Sequence, residues 1–298
     1  MSRTVLLFLV CHFFVIAGDG KAWAADEAAP VSADVEIDWH HDYGDAMRAA
    51  RAEGKMMFVW FQGKTRNQLS ERFEAVSLRD RKVRSLLDRF VSVKLPQDAT
   101  ITVDGEPVRL LEHAAFQEMN GGPGIAIIDF ENRETEHYGY VVTTLPFTPG
   151  KFYQFRPEHL AVVLDLPPGT LTQRTLVFAV RIHPEKPAST RGTIDPTLVS
   201  AAKQHSTYQA RIRLQGHHHW GERFPRLARL LGLNPQEIVA ESWPQESLVD
   251  AAVDVVDSWH HSSGHWQAVY SNQRRFGYDM KKGSNGIWYA TGLFGSTH

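Results

Sequence analysis

Met56-Met57-Phe58-Val59-Trp60-Phe61 is an unbroken apolar run of strand length. A strand with one wet face alternates apolar and polar residues, so a run without alternation predicts a central strand covered on both faces. Upstream, Tyr43, Ala46, Met47 and Ala50 fall at helical spacing and Gly54 supplies the stop. Downstream, helical patterning returns around Val83, Leu86 and Leu87, Val91 to Leu95 reads as a strand, and Leu110 to Met119 reads as a helix. Gly121-Gly122-Pro123 then precedes a strand Ile125 to Asp129, a turn at Glu131-Asn132, a strand through Tyr138 to Val142, and a helix Pro157 to Leu166. Counted from Met56 the order is β-α-β-α-β-β-α, which predicts an α/β fold: a mixed sheet with flanking helices.

The chain has 298 residues, enough for two domains of ordinary size, with 43% hydrophobic and 22% charged residues, the balance of a folded globular protein. Its formal charge of −2 leaves no electrostatic footprint for nucleic acid or an anionic bilayer, and neither is an expected partner. Cys11 is its single cysteine and lies in an apolar N-terminal run from Val5 to Ala17, behind Arg3. That run has the length of a signal-peptide core and is too short for a comfortable membrane span. With Ala22-Trp23-Ala24 as a small-x-small cleavage pattern, residues 1–24 read as a signal peptide and 25–35 as a linker. The expected location is secreted or periplasmic, with no transmembrane helix and no thiol in the mature chain. Disulfides, CxxC redox centres and zinc-thiolate sites are then excluded.

Residues 36–166 form the first expected domain and 167–193 a connector, with Pro167-Pro168-Gly169, a helical stretch from Leu171 to Arg181, then Pro184, Pro187 and Gly192. The second expected domain, 194–298, opens on Asp195-Pro196, a cap followed by proline in the first turn. Leu198, Ala201, Ala202, His205 and Ile212 line one helix face; Phe224, Leu227, Leu230 and Leu231 stripe a second helix, Trp220 to Leu231. A third helix starts at the capping pair Ser247 and Asp250 and buries Leu248, Ala251, Ala252, Val255, Val256 and Trp259. Phe276 to Lys281 and Ile287 to Phe294 flank Ser284-Asn285-Gly286, a strong hairpin signal. Together these predict a small α-β-α sandwich.

Seven of the 15 histidines lie between residues 205 and 265: His205, His217, His218, His219, His260, His261 and His265. Imidazole is a good ligand for zinc or copper, but three successive histidines cannot all face one point, so one or two of His217–His219 would contribute. Exposed or hydrogen-bonded structural histidines are the competing reading. No Ser-His-Asp arrangement or nucleophile elbow is visible, and cysteine catalysis is impossible in the mature chain.

Over residues 36–166 the apolar strand Met56–Phe61, the helix expected after it, and Gly122-Pro123 before Ile125–Asp129 resemble a thioredoxin-like domain, where the family carries a cis-proline. The family's catalytic cysteines would fall in Gln62-Gly63-Lys64-Thr65-Arg66-Asn67-Gln68, which has none. The resemblance therefore implies the fold and argues against thiol-disulfide exchange. It leaves two roles, a partner-binding groove beside Pro123 or a structural module. Over residues 194–298, Trp259-His260-His261-Ser262-Ser263-Gly264-His265-Trp266 and the aromatic hairpin up to Phe294 resemble the end of a CAP-superfamily (SCP-like) domain.

That second resemblance implies a cleft with two histidines and one or two glutamates, able in some members to hold a divalent cation. The Gly-His histidine is His265; the earlier one is His217, after Gly216, with His218 next; and Glu241 matches the first glutamate, although Ser242 stands where asparagine is usual. Ser262 occupies the place of the second glutamate. His217 and His265 are thus the expected metal ligands, for a divalent metal such as zinc, with Trp243 and Trp266 as walls. The whole reads as an exported protein that binds an extracytoplasmic protein, peptide or small ligand; the alternative is metal-assisted or His/Glu acid-base hydrolysis in the second cleft, and a cleft kept only as scaffold is a third. Export is checked by N-terminal sequencing of secreted material, which should begin near Ala25; an intact Met1 in membranes would show an anchor instead.

Overall fold

The computed structural model describes residues 36–65, 68–103, 105–151 and 156–295, so the expected leader, the linker and Cys11 lie outside the described residues. β1 (Trp39–His40) leads to α1 (Tyr43–Glu53), which starts where the Asp42 carboxylate accepts from the Asp45 N–H and stops at Gly54, in the left-handed region at φ 62°. β2 (Met56–Gln62) contains the apolar run and is followed by α2 (Gln68–Ala75) and α3 (Arg81–Leu87), the latter capped by Asp80. β3 (Phe90–Pro96), a hairpin of β4 (Thr100–Val103) and β5 (Glu106–Arg109), β6 (Gly124–Ile128), β7 (Val141–Pro146) and α4 (Pro157–Leu164) complete this half.

The main sheet here has the order β1-β3-β2-β6-β7, with β1, β3 and β2 parallel and β6 and β7 each antiparallel to its neighbour. The unbroken apolar run is explained by this central position. Met57, Val59 and Phe61 pack under α1 with Phe116 and Phe130, while Met56, Phe58 and Trp60 point to the opposite core. Two local expectations are corrected. Leu110–Met119 is a pair of 3₁₀ turns, Leu110–Glu112 and Ala114–Met119, because His113 between them is extended and its Nδ1 accepts from the Ala115 N–H. The last strand starts at Val141 and includes the buried Thr143 and Thr144, polar residues that disguise it in the sequence.

The stretch expected as a connector contains α5 (Leu171–Ile182), which is buried from Gln173 to Val180. Thr170 and Gln173 form a capping box at its start. Leu176, Val177, Phe178 and Val180 belong to one continuous apolar core that also holds Phe58 and Trp60 of the first half and Val255, Trp259, Phe276 and Phe294 of the second. From Glu36 onward the described residues accordingly form one compact unit. Arg174, 1% exposed, donates from Nε to Thr143 Oγ1 (3.0 Å) and from Nη1 to the Leu166 and Pro167 carbonyls (2.9 Å each). Burial lowers its pKa to about 10, which leaves the guanidinium charged at neutral pH.

The second half runs β8 (Thr193–Ile194), α6 (Pro196–Ile212), α7 (Trp220–Leu231), β9 (Pro235–Glu241), α8 (Leu248–His260), α9 (Ser263–Tyr270), β10 (Arg275–Lys282) and β11 (Trp288–Gly295). Its sheet has the order β8-β10-β11-β9, with β8 parallel to β10 and the rest antiparallel. α6 and α7 cover one face and α8, with α5, the other, so the chain is mixed α/β with mixed sheets and flanking helices. α6 lies so close that a Cβ at Gly277 would stand 2.4 Å from the Leu198 backbone, which is why β10 carries glycine there. Leu230, expected in the α7 stripe, is 63% exposed; Leu227 and Leu231 carry the burial. No helix among the described residues is long and apolar enough to cross a membrane.

Because the core is continuous, urea unfolding followed by tryptophan fluorescence and far-UV circular dichroism should give one transition. Arg174→Met would leave the Leu166 and Pro167 carbonyls unpaired and should cost about 2 kcal/mol; a midpoint unchanged from wild type would show that the buried guanidinium stabilises nothing.

Candidate functional site

α6 ends at Arg213 in the left-handed conformation, and the chain turns back through Gly216 toward α7. Two side chains of α6 hold this turn from inside: Gln209 Oε1 accepts from the Gly216 N–H (3.1 Å) and His205 Nε2 donates to the Gly216 carbonyl (2.9 Å). The turn delivers His217 to the sheet. Its Nδ1 lies 3.0 Å from Glu237 Oε1 of β9, and Arg223 of α7 clamps the same carboxylate with Nη1 to Oε2 at 2.5 Å and Nη2 to Oε1 at 2.8 Å. His205 Nε2 stands 3.7 Å from Glu237 Oε1. On the other side of His217, the His265 ring, in the first turn of α9, has its centroid 6.1 Å away.

The electrostatics follow from burial. The Glu237 side chain is fully buried, which by itself raises its pKa, but hydrogen bonds from His217 and Arg223 outweigh burial and hold the carboxyl below its ordinary value. His205 is pulled down to about 4, first by burial, against the opposite pull of Glu237. His265 is lowered by burial and by the neighbouring His217. At neutral pH the site is therefore an ionised carboxylate paired with a guanidinium, beside neutral His205 and His265.

Of the expected cleft residues, His217 and His265 come together. His218 turns away: its Nε2 meets the Leu214 carbonyl at 3.2 Å and its ring packs on Tyr208. Glu241 is not the carboxylate that meets His217; it is exposed at the end of β9, opposite Tyr289. Glu237 holds that place on the same face of the same strand, two pleats earlier. Nothing in the Glu-Ser spacing shows this, but a charged residue within a strand-length segment, with Arg223 on the preceding helix, was the available signal. Trp243 is 72% exposed, and Trp266 packs on His183 and His260, so neither expected wall is built as read from the sequence.

As for a divalent cation, His217 and His265 fall short of the three or four ligands such an ion needs, His205 Nε2 is engaged by the Gly216 carbonyl, and both Glu237 oxygens are engaged by Arg223 and His217. The Arg223 guanidinium also neutralises the carboxylate that would otherwise attract the ion. This donor set does not fit a metal as it is arranged.

A second cleft, of about 730 Å³, lies at the C-terminal ends of β2 and β3, lined by Trp60, Gln62, Gly63, Lys64, Lys94 and Gln97 among others. Its charges are matched: Lys94 Nζ donates to Glu74 Oε1 at 2.9 Å above the face of Trp60, and Lys64 lies 3.8 Å from Asp98. Gln97 Nε2 donates to the Gly121 carbonyl at 2.6 Å. Pro123, half-buried, adjoins Gly63: a Cβ there would stand 3.5 Å from Pro123 Cγ. No peptide bond is cis among the described residues, so Pro123 lacks the cis bond that a thioredoxin-like resemblance implies.

No protein-family model matches the chain, and no curated protein matches it in sequence. A solved structure of an outer surface protein from Borrelia burgdorferi is similar at 23% identity, over 36% of this chain and 78% of that one, with a TM-score of 0.30. That likeness is too slight to decide fold or function.

The depressed value of His205 sets a pH dependence. In the unfolded chain a histidine takes up its proton near 6.5, whereas in the fold His205 resists protonation down to about 4. The unfolded state thus binds more protons in this window, and stability should fall as pH drops from about 6.5 toward 4. His137, His183 and His265, also lowered, act in the same sense. Urea midpoints measured between pH 7 and 4 should show the fall, with a shallower slope in His205→Gln; an identical slope would show that His205 does not contribute.

Proposed function

We propose that the chain is an exported binding protein, joining a thioredoxin-like half without redox cysteines to a CAP-like half, and that it takes an extended peptide segment of an extracytoplasmic partner in the cleft above β2 and β3. The observation that carries this reading is the cleft itself. It opens at the C-terminal ends of parallel strands, where α/β sheets present ligand sites, and above the buried Trp60 it joins amides to paired charges of both signs. A neutral polar chain suits such a lining better than an anion or a cation.

Strand order β1-β3-β2-β6-β7, with its three parallel and two antiparallel members, supports the thioredoxin-like reading of the first half. Helices on both faces of the β8-β10-β11-β9 sheet, with His217 and His265 adjacent, support the CAP-like reading of the second. The hydrolase alternative draws on that histidine pair. Against it stands Glu237: a carboxylate held below its ordinary pKa and clamped by Arg223 is a poor general base at neutral pH.

Panning a peptide library on the mature protein should select binders, and Gly63→Phe, which places a ring in the cleft beside Pro123, should weaken them by about tenfold or more, roughly the 1.4 kcal/mol of a few lost contacts, without lowering the melting temperature. Equal binding by Gly63→Phe, or no binder at all, would refute the cleft. Ester or peptide hydrolysis lost in His265→Ala would instead establish the hydrolase reading.

A further inference from the structure

The last turn of α8 meets the segment that follows α5 in a cluster of His183, Glu185, Asp257, His260, His261 and Trp266. Asp257, His260 and His261 occupy positions i, i+3 and i+4 of the helix and share one face. Each offers one ligand atom, and these atoms lie within 4.8 Å of one another. Glu185 reaches the same spot from a distant part of the chain: its Oε1 is 2.8 Å from His260 Nε2, and its Oε2 accepts from Trp266 Nε1 at 2.9 Å. His183 packs on both rings, at 5.0 Å from His260 and 4.6 Å from Trp266.

We propose that Asp257, His260 and His261 form a site for a divalent transition metal of the zinc class, with Glu185 orienting His260. Bonds of about 2.0–2.1 Å to a tetrahedral ion put ligand atoms roughly 3.4 Å apart, so the three need to close in by on the order of 1 Å. Asp257 and His261, at 62% and 72% side-chain exposure, have the freedom to do so. The His261 ring is already held over the correct turn, with Nδ1 2.8 Å from the Asp257 carbonyl and 3.7 Å from its Oδ2. A carboxylate that accepts the Nε2 proton of His260 leaves the Nδ1 lone pair for the ion, the arrangement by which carboxylates brace metal-bound imidazoles. The partial negative charge at the C-terminal end of the helix favours a cation further. Two imidazoles and one carboxylate select zinc, cobalt, nickel or copper over magnesium or calcium. Three protein ligands leave a position open to water. Here, unlike at Glu237, no guanidinium is bonded to the donors in the hydrogen bonds or ion pairs described.

The test is titration of chelator-treated, tag-free mature protein with Zn²⁺ by calorimetry, and with Co²⁺ by its ligand-field absorption. One equivalent should bind. Asp257→Asn and His261→Ala, both at exposed positions, should each weaken binding at least ~10-fold, and Glu185→Gln about 10- to 100-fold, with unchanged circular dichroism. His265→Ala, in the other cleft, should bind as wild type. Absence of saturable binding in the wild type, or binding that survives His261→Ala and Asp257→Asn, would overturn the proposal.

Discussion

Burial of α5 on all sides is the constraint that the rest of the molecule obeys. A helix buried around its whole circumference must be covered from every side, so both sheets pack against it, one through β7 and the other through β10 and α8. Arg174 shows how far this goes. The helix carries a guanidinium into the core, and that charge is tolerated because Thr143 of the first sheet and the Leu166 and Pro167 carbonyls supply acceptors. Thr172 likewise donates to the buried Asp279 of β10 at 2.6 Å. One helix is thus hydrogen-bonded to both sheets as well as packed on them.

Glu237 repeats the solution at smaller scale. Its carboxylate is as inaccessible as Arg174, and its ionised form survives because Arg223 and His217 bond to it. The same bonds tie the turn after α6 to β9, so the pair has a structural job that competes with chemistry. A carboxylate already satisfied by a guanidinium is a weak base and an unavailable ligand, whereas in the other cluster Asp257 and His261 stay exposed and the half-buried His260 is braced by Glu185. The difference between the two histidine clusters lies in what neutralises each carboxylate, not in how many histidines surround it.

Much of the architecture is carried by local pattern. The run Met56–Phe61 demands cover on both faces, Asp42, Asp195 and Ser247 cap their helices with their own side chains, and the strands around Ser284-Asn285-Gly286 form the expected hairpin. Such features depend on residues within a few positions of one another, so spacing suffices to read them. β9 and α9 are not legible in the sequence, because Glu237 interrupts the apolar pattern of the one and the other hides in a histidine- and serine-rich turn.

The candidate sites divide along the same line. His217 and His265 are named by the family resemblance, through the turn after a helix and a Gly-His step, and the two rings do meet. Glu241 and Glu237 share a strand face, so only the register of β9 against β11, together with the position of Arg223 on α7, selects between them. Glu185 against His260, and Lys94 against Glu74 over Trp60, join residues far apart in the chain. Amino-acid pattern sets which segments are helices or strands and which faces must be buried. Which polar side chains then neutralise one another depends on how those faces are brought together, because a charge becomes costly, and its partner necessary, only once packing has removed the water.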